Sequence, residues 1–478
     1  MTAQLLSELE AIVGAGNVVS AANDRARFMH DRLPFDIFLA RGGRASGEVP
    51  QLVVSPADEQ EVASAVRLLA KAGIPIVARG EGSGVLGGAV PLAGGAVVDL
   101  RRMSGIVDIN ETDHLVTVRA GMNGMAFERA LNEKGWTTGH LPQSIEISTV
   151  GGWAACRGAG QASTRYGKIE DIVVGLKAVL PDGRLLDVRP VPRRSTGPSI
   201  RDLIVGNEGT LAIITEVTLR IWRKPEVEHG VAIAFPTTSA AMNAARRILQ
   251  AELRPAVVRI YDEAESAQRL GDLADSARPV LAILEFHGSS ALVEHERSAA
   301  MAIVAEEGGH ELPDTPWRHW RDNRFKSLSK DWQDKNYYMD TIEVTGLWSM
   351  LPKMYESMKV ASKKVHPDVH FAAHWSHAYV EGACLYMTIR LPPMPESEAL
   401  PLHARLWQEI QSLTLDHHGS IAHHHGAGFF RNPWMERELG ATGLAILQQV
   451  KDAVDPHNLF NPGKLGLSPV SPASRDRE

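Results

Sequence analysis

The chain has little of what marks a secreted, membrane-spanning or nucleic-acid-binding protein. Its 478 residues include two cysteines, Cys156 and Cys384, which are too few for a disulfide framework or a cysteine-rich metal site. No window approaches the roughly 18 apolar residues that a membrane-spanning helix needs. The formal net charge of −7 is accompanied by no basic stripe, which argues against nucleic acid as a partner.

Neither terminus carries a recognisable targeting signal. The N-terminus begins like an amphipathic helix and lacks the basic-then-apolar order of a signal peptide, and residues 469–478 form a polar tail without a Ser-Lys-Leu ending. A length of 478 residues favours two or three domains. We therefore expect a multidomain cytoplasmic protein.

Glycine, by contrast, is concentrated between Pro75 and Pro91, just after a short apolar strand. This run also contains Arg79 and Ser83, and its five glycines are Gly80, Gly82, Gly84, Gly87 and Gly88. Glycines at alternate positions permit positive φ and allow successive N–H groups to point at phosphate oxygens. A Rossmann loop would begin a helix after Gly88, whereas this segment reads as turn and strand. The run therefore predicts either a phosphate cradle outside a Rossmann fold or a glycine-rich hairpin without a ligand.

Hydrophobic periodicity divides the chain near Lys224–Pro225. The first half alternates short β-rich runs with helical stretches, and a Pro-Asp-Gly turn predicts a hairpin of strands 172–180 and 185–188. The second half has a separate strand-helix-strand-helix order, which predicts an α+β unit. The helices predicted in the two halves are 59–71, 123–134, 239–252 and 292–307.

Three consecutive histidines, His423, His424 and His425, allow three interpretations: metal ligands, acid–base groups, or surface residues without a role. Neighbours in an extended segment point alternately, so His423 and His425 would face together while His424 faces away. No carboxylate lies nearby in the sequence, which favours acid–base chemistry over a metal site. Tyr386 could act as a base only if positive charge or hydrogen bonds lowered its pKa, and a buried strand tyrosine is the alternative.

Five motifs occur in the order of one known family, and together they cover most of the chain. They are Arg79–Gly84, Pro142–Gly152, Arg165–Asp171, Gly206–Thr210 and Asp455–Lys464. With them the chain resembles the FAD-binding oxidoreductases of the vanillyl-alcohol-oxidase type, and among these the alkyl-dihydroxyacetonephosphate synthases and the D-2-hydroxyacid dehydrogenases. The resemblance implies an α+β fold with a two-subdomain PCMH-type FAD-binding domain (1–223), a cap domain with an antiparallel sheet (224–425), a segment returning to the FAD domain (426–468) and the polar tail.

The resemblance also implies FAD as the cofactor. The Arg79–Gly84 loop would hold its diphosphate, and later motifs would line the ribityl chain, the ring and the adenosine. Because the loop lacks the histidine to which some relatives attach FAD, we expect non-covalent binding. The implied cofactor residues are Arg79, Gly80, Glu81, Gly82, Ser83, Gly84, Pro142, Gln143, Ser144, Thr149, Gly151, Gly152, Glu208, Thr210 and Ile214.

Two turns of the cap resemble the synthases more than the dehydrogenases. Where the dehydrogenases share a metal ion, this chain has Glu381–Tyr386 and His423–Gly426, which implies a metal-independent site. By resemblance Tyr386 would be the base, and His423, His424 and His425 would assist proton movement. The synthase arginine that precedes a Tyr-Tyr pair is missing here, and Arg324 and Lys330 are the nearest candidates for binding an anionic group.

The expected function is oxidation of a hydroxyl-bearing small molecule or hydroxy acid, with proton abstraction by Tyr386 or a histidine and hydride transfer to flavin N5. The alternative is a synthase-like alkyl transfer that uses the same residues without net redox change. His377 and Tyr379, which precede the Tyr386 motif, are further candidates for substrate binding. A homodimer is expected by analogy with the family.

Overall fold

The computed structural model describes residues 2–326 and 329–469, and the residues of the predicted tail beyond 469 lie outside this part of the chain. The first unit is a four-stranded sheet with the strand order β1-β2-β4-β3, in which β2, β4 and β3 are parallel. Its strands are short and apolar because both faces are covered. The elements are α1 (Ala3–Val13), β1 (Val18–Val19), α2 (Ala22–Ala26), α3 (Pro34–Arg41), β2 (Leu52–Val54), α4 (Glu59–Lys71), β3 (Ile76–Arg79) and β4 (Ala96–Asp99).

The second unit is a five-stranded antiparallel sheet with the order β5-β6-β10-β8-β9, and β7 and β11 form a separate pair. The hairpin of β8 and β9 confirms the predicted Pro-Asp-Gly turn. The elements are β5 (Ile106–Asn110), β6 (Leu115–Arg119), α5 (Gly124–Asn132), β7 (Trp136–Thr137), α6 (Val150–Cys156), α7 (Ser163–Tyr166), α8 (Ile169–Ile172), β8 (Val173–Val179), β9 (Leu185–Val188), α9 (Ile200–Ile204), β10 (Ile213–Arg220) and β11 (Trp222–Arg223).

The third unit is a seven-stranded antiparallel sheet with the order β15-β12-β14-β13-β17-β18-β16. Its helices pack on it around the largest apolar core of the chain. The elements are β12 (Val227–Phe235), α10 (Thr238–Gln250), β13 (Val257–Tyr261), α11 (Glu263–Leu270), β14 (Val280–Gly288), α12 (Ser290–Glu306), β15 (His310–Leu312), α13 (Thr315–Asn323), α14 (Ser329–Gln333), β16 (Tyr338–Leu347), α15 (Leu351–Val365), β17 (His370–Ala378), β18 (Gly382–Leu391) and α16 (Glu396–Asp416).

After the third sheet the chain runs back to the first one. It forms α17 (Met435–Val454), which is kinked at Gly440, and then pairs Phe460 with Ile76 of β3. The buried Lys464 donates through Nζ to the carbonyls of Gly87 and Val90, at 2.6 and 2.7 Å. The glycine run is thus held on one side by the returning segment.

The α+β class predicted from the sequence is confirmed. The predicted helix 59–71 has the bounds of α4, and the other three predicted helices form with ends shifted by one or two residues. Among the described residues no helix is both long enough and apolar enough to cross a membrane.

Candidate active site

The predicted phosphate loop leaves β3 at Arg79 and is closely packed on its inner side. A Cβ at Gly80 would collide with the Thr149 side chain, and a Cβ at Gly82, where φ is +66°, would collide with the Arg79 guanidinium. Thr149 is itself fixed as the N-cap of α6, accepting from the Gly152 N–H at 3.3 Å. Only glycine therefore fits at these two loop positions, and the backbone can approach a bulky anion such as a diphosphate.

Two of the other predicted cofactor residues make contacts with residues far away along the chain. Gln143 donates through Nε2 to the Lys326 carbonyl at 2.9 Å. The carboxylate of Glu208 accepts from the backbone N–H groups of Ala427 and Gly428, at 2.7 and 2.9 Å. In this structure Glu208 therefore supports the backbone just after the three histidines, and its role toward the adenosine or the ring edge stays a prediction. The remaining predicted cofactor residues with described positions are Glu81, Ser83, Gly84, Pro142, Ser144, Gly151, Thr210 and Ile214.

Tyr386 lies in a row of polar side chains across the third sheet. In the strand register it is paired with Glu343 of β16 on one side and with His374 of β17 on the other, and cross-strand partners share a face. The His374 and Tyr386 rings stack with centroids 4.7 Å apart, and His374 Nδ1 lies 3.0 Å from Glu265 Oε2. Burial lowers the pKa of His374 to about 4 and raises the pKa of Tyr386 above its usual value. The raised pKa favours the neutral phenol of Tyr386, and its role as the base stays a prediction.

The three histidines sit beside Tyr386, and His424 does not face away from its neighbours. His423 Nδ1 and His424 Nδ1 are 2.9 Å apart, and the His424 and His425 ring centroids are 4.5 Å apart. The Tyr386 centroid lies 6.1 Å from that of His424 and 5.5 Å from that of His425. The alternating arrangement predicted for the run is wrong because residues 423–425 are not part of a strand but form a bend beyond the sheet edge.

A buried ion pair holds this bend in place. Glu343 and Arg431 are both fully buried, with Arg431 Nη1 3.0 Å from Glu343 Oε1. The same carboxylate accepts from the backbone N–H of His423 and from that of His425, the latter at 3.1 Å. On the other side, Lys168 Nζ donates to the His423 carbonyl at 2.6 Å. A carboxylate does therefore accompany the histidines, although sequence reasoning found none, because Glu343 is about 80 positions away along the chain.

His377 and Tyr379 extend the cluster toward the FAD-binding half. Tyr379 Oη lies 2.9 Å from His423 Nε2, and His377 Nδ1 lies 2.8 Å from Ser163 Oγ of α7. The His377 and His423 rings stack at 5.0 Å. Burial lowers the pKa of His377 and of all three consecutive histidines below 6.5, and it raises the pKa of Tyr379. At neutral pH the site thus offers neutral imidazoles, which can accept protons, beside neutral phenols, which can donate hydrogen bonds.

One set of side chains within this cluster has the composition of a metal site. Ligand atoms of Glu343, Cys384, His423 and His424 all lie within 4.8 Å of one another. Glu343 already accepts from Arg431 and from backbone N–H groups, and a neighbouring guanidinium opposes a second cation. The metal-independent site predicted from the sequence stays a prediction.

The candidate anion-binding residues are Arg324 and Lys330, and the side chain of Lys330 lies outside the described part of the chain. Arg324 lines a cavity of about 350 Å³ between the FAD-binding half and the third sheet, which it shares with Leu141, Tyr166, His287 and Phe325. Its guanidinium lies 5.0 Å from the Phe325 ring and makes no hydrogen bond or ion pair with the described residues. Arg324 is thus positioned to meet an anionic group that enters the cavity.

Sequence reasoning missed four polar residues of this site: Glu343, Arg431, Glu265 and Ser163. Each acts through a partner far away along the chain, so no local pattern marks it. Lys168 lies in the Arg165–Asp171 motif, and that motif was a signal that could have placed it near the site.

Two family models match the chain. One, described as an FAD binding domain, covers residues 50–189, and the other, described as the C-terminal domain of FAD linked oxidases, covers residues 224–465. The second model spans the seven-stranded sheet with Tyr386 and the three histidines.

Several similar proteins match along nearly the whole chain. The FAD-linked oxidoreductase YgcU of Escherichia coli (strain K12) is 32% identical over 479 residues, which cover 97% of this chain and 98% of that protein. The alkyldihydroxyacetonephosphate synthase of Dictyostelium discoideum is 28% identical over 462 residues, which cover 90% of this chain and 75% of that protein. The structure of p-cresol methylhydroxylase matches with a TM-score of 0.77 at 16% identity, covering 97% of this chain and 96% of that one. The last similarity confirms the predicted PCMH-type fold.

Proposed function

Because this chain belongs to the family of FAD-linked oxidases, we propose that it oxidises a hydroxyl-bearing small molecule or hydroxy acid without a metal ion. FAD is its cofactor, and when bound it supplies a hydride acceptor at N5. The observation that carries the proposal is that the neutral imidazoles of His424 and His425 lie next to the neutral phenol of Tyr386. This set of groups suits removal of a hydroxyl proton.

The FAD-binding residues are those named from the sequence, with the diphosphate at the Arg79–Gly84 loop. The collisions that a Cβ would meet at Gly80 and Gly82 support this placement. Thr149, whose side chain abuts Gly80, and Pro142–Ser144 would face the ribityl chain and the ring. We further propose that the flavin is held without a covalent bond.

The roles at the reacting centre follow from protonation states. His425 is the proton acceptor, because its buried Nδ1 makes no hydrogen bond with the described residues and its ring meets Tyr386 edge-on. The same Nδ1 lies 3.8 Å from Glu343 Oε1, which favours the protonated imidazole once the proton has arrived. Tyr386 donates a hydrogen bond to the substrate oxygen and orients it. His424, His423 and Tyr379 form the chain through which the proton leaves, as the 2.9 Å contacts along it allow.

Substrate anion binding is assigned to Arg324, with Lys330 as a second candidate, and His377 and Tyr379 are further candidates for contact with the substrate. The Arg324 guanidinium offers a planar donor set that matches a carboxylate. The carboxylate of a hydroxy acid would meet this donor set.

A second candidate function is synthase-like alkyl transfer without net redox change. The observation in its favour is the 28% identity to the Dictyostelium discoideum synthase, together with the resemblance of the Tyr386 and His423–His425 motifs to that enzyme type. The same phenol and imidazoles would then move the proton.

The test is anaerobic mixing of the purified yellow protein with hydroxy acids, alcohols and an acyl-dihydroxyacetone phosphate, with the flavin spectrum recorded over time. Lasting loss of the oxidised flavin band with a hydroxy acid or alcohol is expected. Transient loss with release of fatty acid and no lasting reduction would favour the transferase and overturn the oxidoreductase proposal.

A further inference from the structure

The glycine loop faces one buried carboxylate oxygen that has no partner among the described residues. Asp31 lies between α2 and α3, and its Oδ1 accepts from the Leu33 N–H at 2.9 Å. Its Oδ2 is buried and makes no hydrogen bond with the part of the chain that the structure describes. This oxygen lies 3.4 Å from the position that a Cβ at Gly84 would occupy. The Arg32 N–H donates to the Gly84 carbonyl at 2.8 Å, which fixes Asp31 against the loop.

The charges around Asp31 come from several elements. Arg79 and Lys464 attract its carboxylate, and Asp36 repels it. The Nδ1 of the neighbouring His30 lies 3.6 Å from Asp36 Oδ2, and the carboxylate of Glu208 attracts Lys464 electrostatically. Burial raises the pKa of Asp31 to about 7.

The formal charges of the residues around Asp31 do not favour the binding of a further anion. If Asp31 and Glu208 are both ionised, they cancel the charges of Arg79 and Lys464, and Asp36 adds a further negative charge. A diphosphate brings about two negative charges to such a site, so its binding favours protonation of a buried acid.

We propose that Asp31 is neutral when FAD is bound and donates a hydrogen bond from Oδ2 to a diphosphate oxygen, so that FAD binding takes up one proton. The inference rests on the proposed placement of the diphosphate at the Arg79–Gly84 loop. Oδ2 is the oxygen that carries the proton, because Oδ1 is already occupied by the Leu33 N–H.

The coupling of proton binding to FAD binding determines whether the affinity for FAD rises or falls with pH. A group that is protonated in the complex and ionised in the free protein makes binding weaker as pH rises, by about tenfold per pH unit between its two pKa values. Lys464, whose pKa burial lowers to about 7, could produce the same trend by losing its charge. Replacing Asp31 separates the two causes.

The experiment dilutes the holoenzyme and follows the fluorescence of released FAD between pH about 6 and about 9. The wild-type affinity should fall about tenfold per unit above pH about 7. Asp31→Asn and Asp31→Ser keep a donor without a titrating proton, so their affinities should be nearly flat. Asp24→Asn removes an exposed acid of α2 and should keep the wild-type slope.

A second measurement reads the proton directly. Infrared difference spectra of the holoenzyme at pH about 8 should contain the C=O stretch of a neutral carboxylic acid that Asp31→Asn lacks. A flat wild-type profile, an unchanged slope in Asp31→Asn, or absence of that band would each overturn the inference. Flavin reduction by a hydroxy acid would be unaffected by such a failure, so the proposed function is judged separately.

Discussion

Replacing Arg431 by methionine should destabilise the third sheet and displace the three histidines. Arg431 Nη1 donates to Glu343 Oε1 and to the Gly426 carbonyl, at 3.0 and 2.6 Å, and its Nη2 donates to the Glu343 carbonyl at 2.8 Å. Methionine has a similar length and no donor. The variant therefore leaves the Glu343 carboxylate charged, fully buried and without its counter-ion.

The expected cost is large because one charge of a buried pair remains. Removing one partner of such a pair typically costs about 3–5 kcal/mol. The pair of Arg437 and Asp416 offers a matched control, since it has a similar distance of 2.8 Å but is about half exposed. Arg437→Met should cost about 0–1 kcal/mol. The double variant Glu343→Gln/Arg431→Met should cost less than the sum of its single variants, because neither charge is left alone.

The assay is urea unfolding followed by tryptophan fluorescence, combined with the rate of anaerobic flavin reduction. Because a displacement of about 1 Å at a reacting group can cost about 100-fold in rate, Arg431→Met should also reduce flavin slowly where it remains folded. If Arg431→Met and Arg437→Met unfold at the same urea concentration, the role assigned to the buried pair of Glu343 and Arg431 is refuted.

Three further predictions concern the chemistry of the site. Because burial lowers the pKa of His425 below 6.5, and the acceptor must be neutral, kcat/KM should stay level from pH about 8 to about 6.5 and fall only below that; an acid limb centred above pH 7 would contradict this. Arg324→Gln should raise KM for an anionic substrate about tenfold or more while kcat changes little. The control variant Arg437→Met should leave both constants unchanged. If Arg324→Gln and the wild type have the same KM, Arg324 does not bind the substrate. Dialysis against a chelator should leave flavin reduction intact, and activity lost on chelation and restored by Zn²⁺ would place a metal among Glu343, Cys384, His423 and His424.

Local features of the sequence were sufficient for much of the fold. The helix 59–71 was visible in its apolar stripe, and the β8–β9 hairpin in its turn. The glycine loop was visible in its alternate glycines, although the contact that leaves no room for a side chain at Gly80 comes from Thr149, far away along the chain. The order of five motifs supplied the family, and with it the FAD assignment.

The contacts that hold the histidines in place could not be predicted from local sequence patterns. Glu343 reaches the bend because β16 pairs with β18 in a register that sets Glu343 opposite Tyr386, and no local rule fixes pairing between strands so far apart. The same holds for the contact of Ser163 with His377, which joins the two halves of the chain. The cytoplasmic location and the homodimer stay predictions.

In the proposed reaction His425 accepts the hydroxyl proton of the substrate, while Tyr386 holds and orients the substrate oxygen through a hydrogen bond. The most direct measurement is the anaerobic rate of flavin reduction in Tyr386→Phe, compared with the wild type and with Tyr338→Phe. The Tyr338 hydroxyl donates to the Met394 carbonyl at 3.2 Å. Tyr386→Phe should keep its FAD and lose reduction by at least about 100-fold, while Tyr338→Phe should match the wild type. Wild-type reduction by Tyr386→Phe would contradict the account.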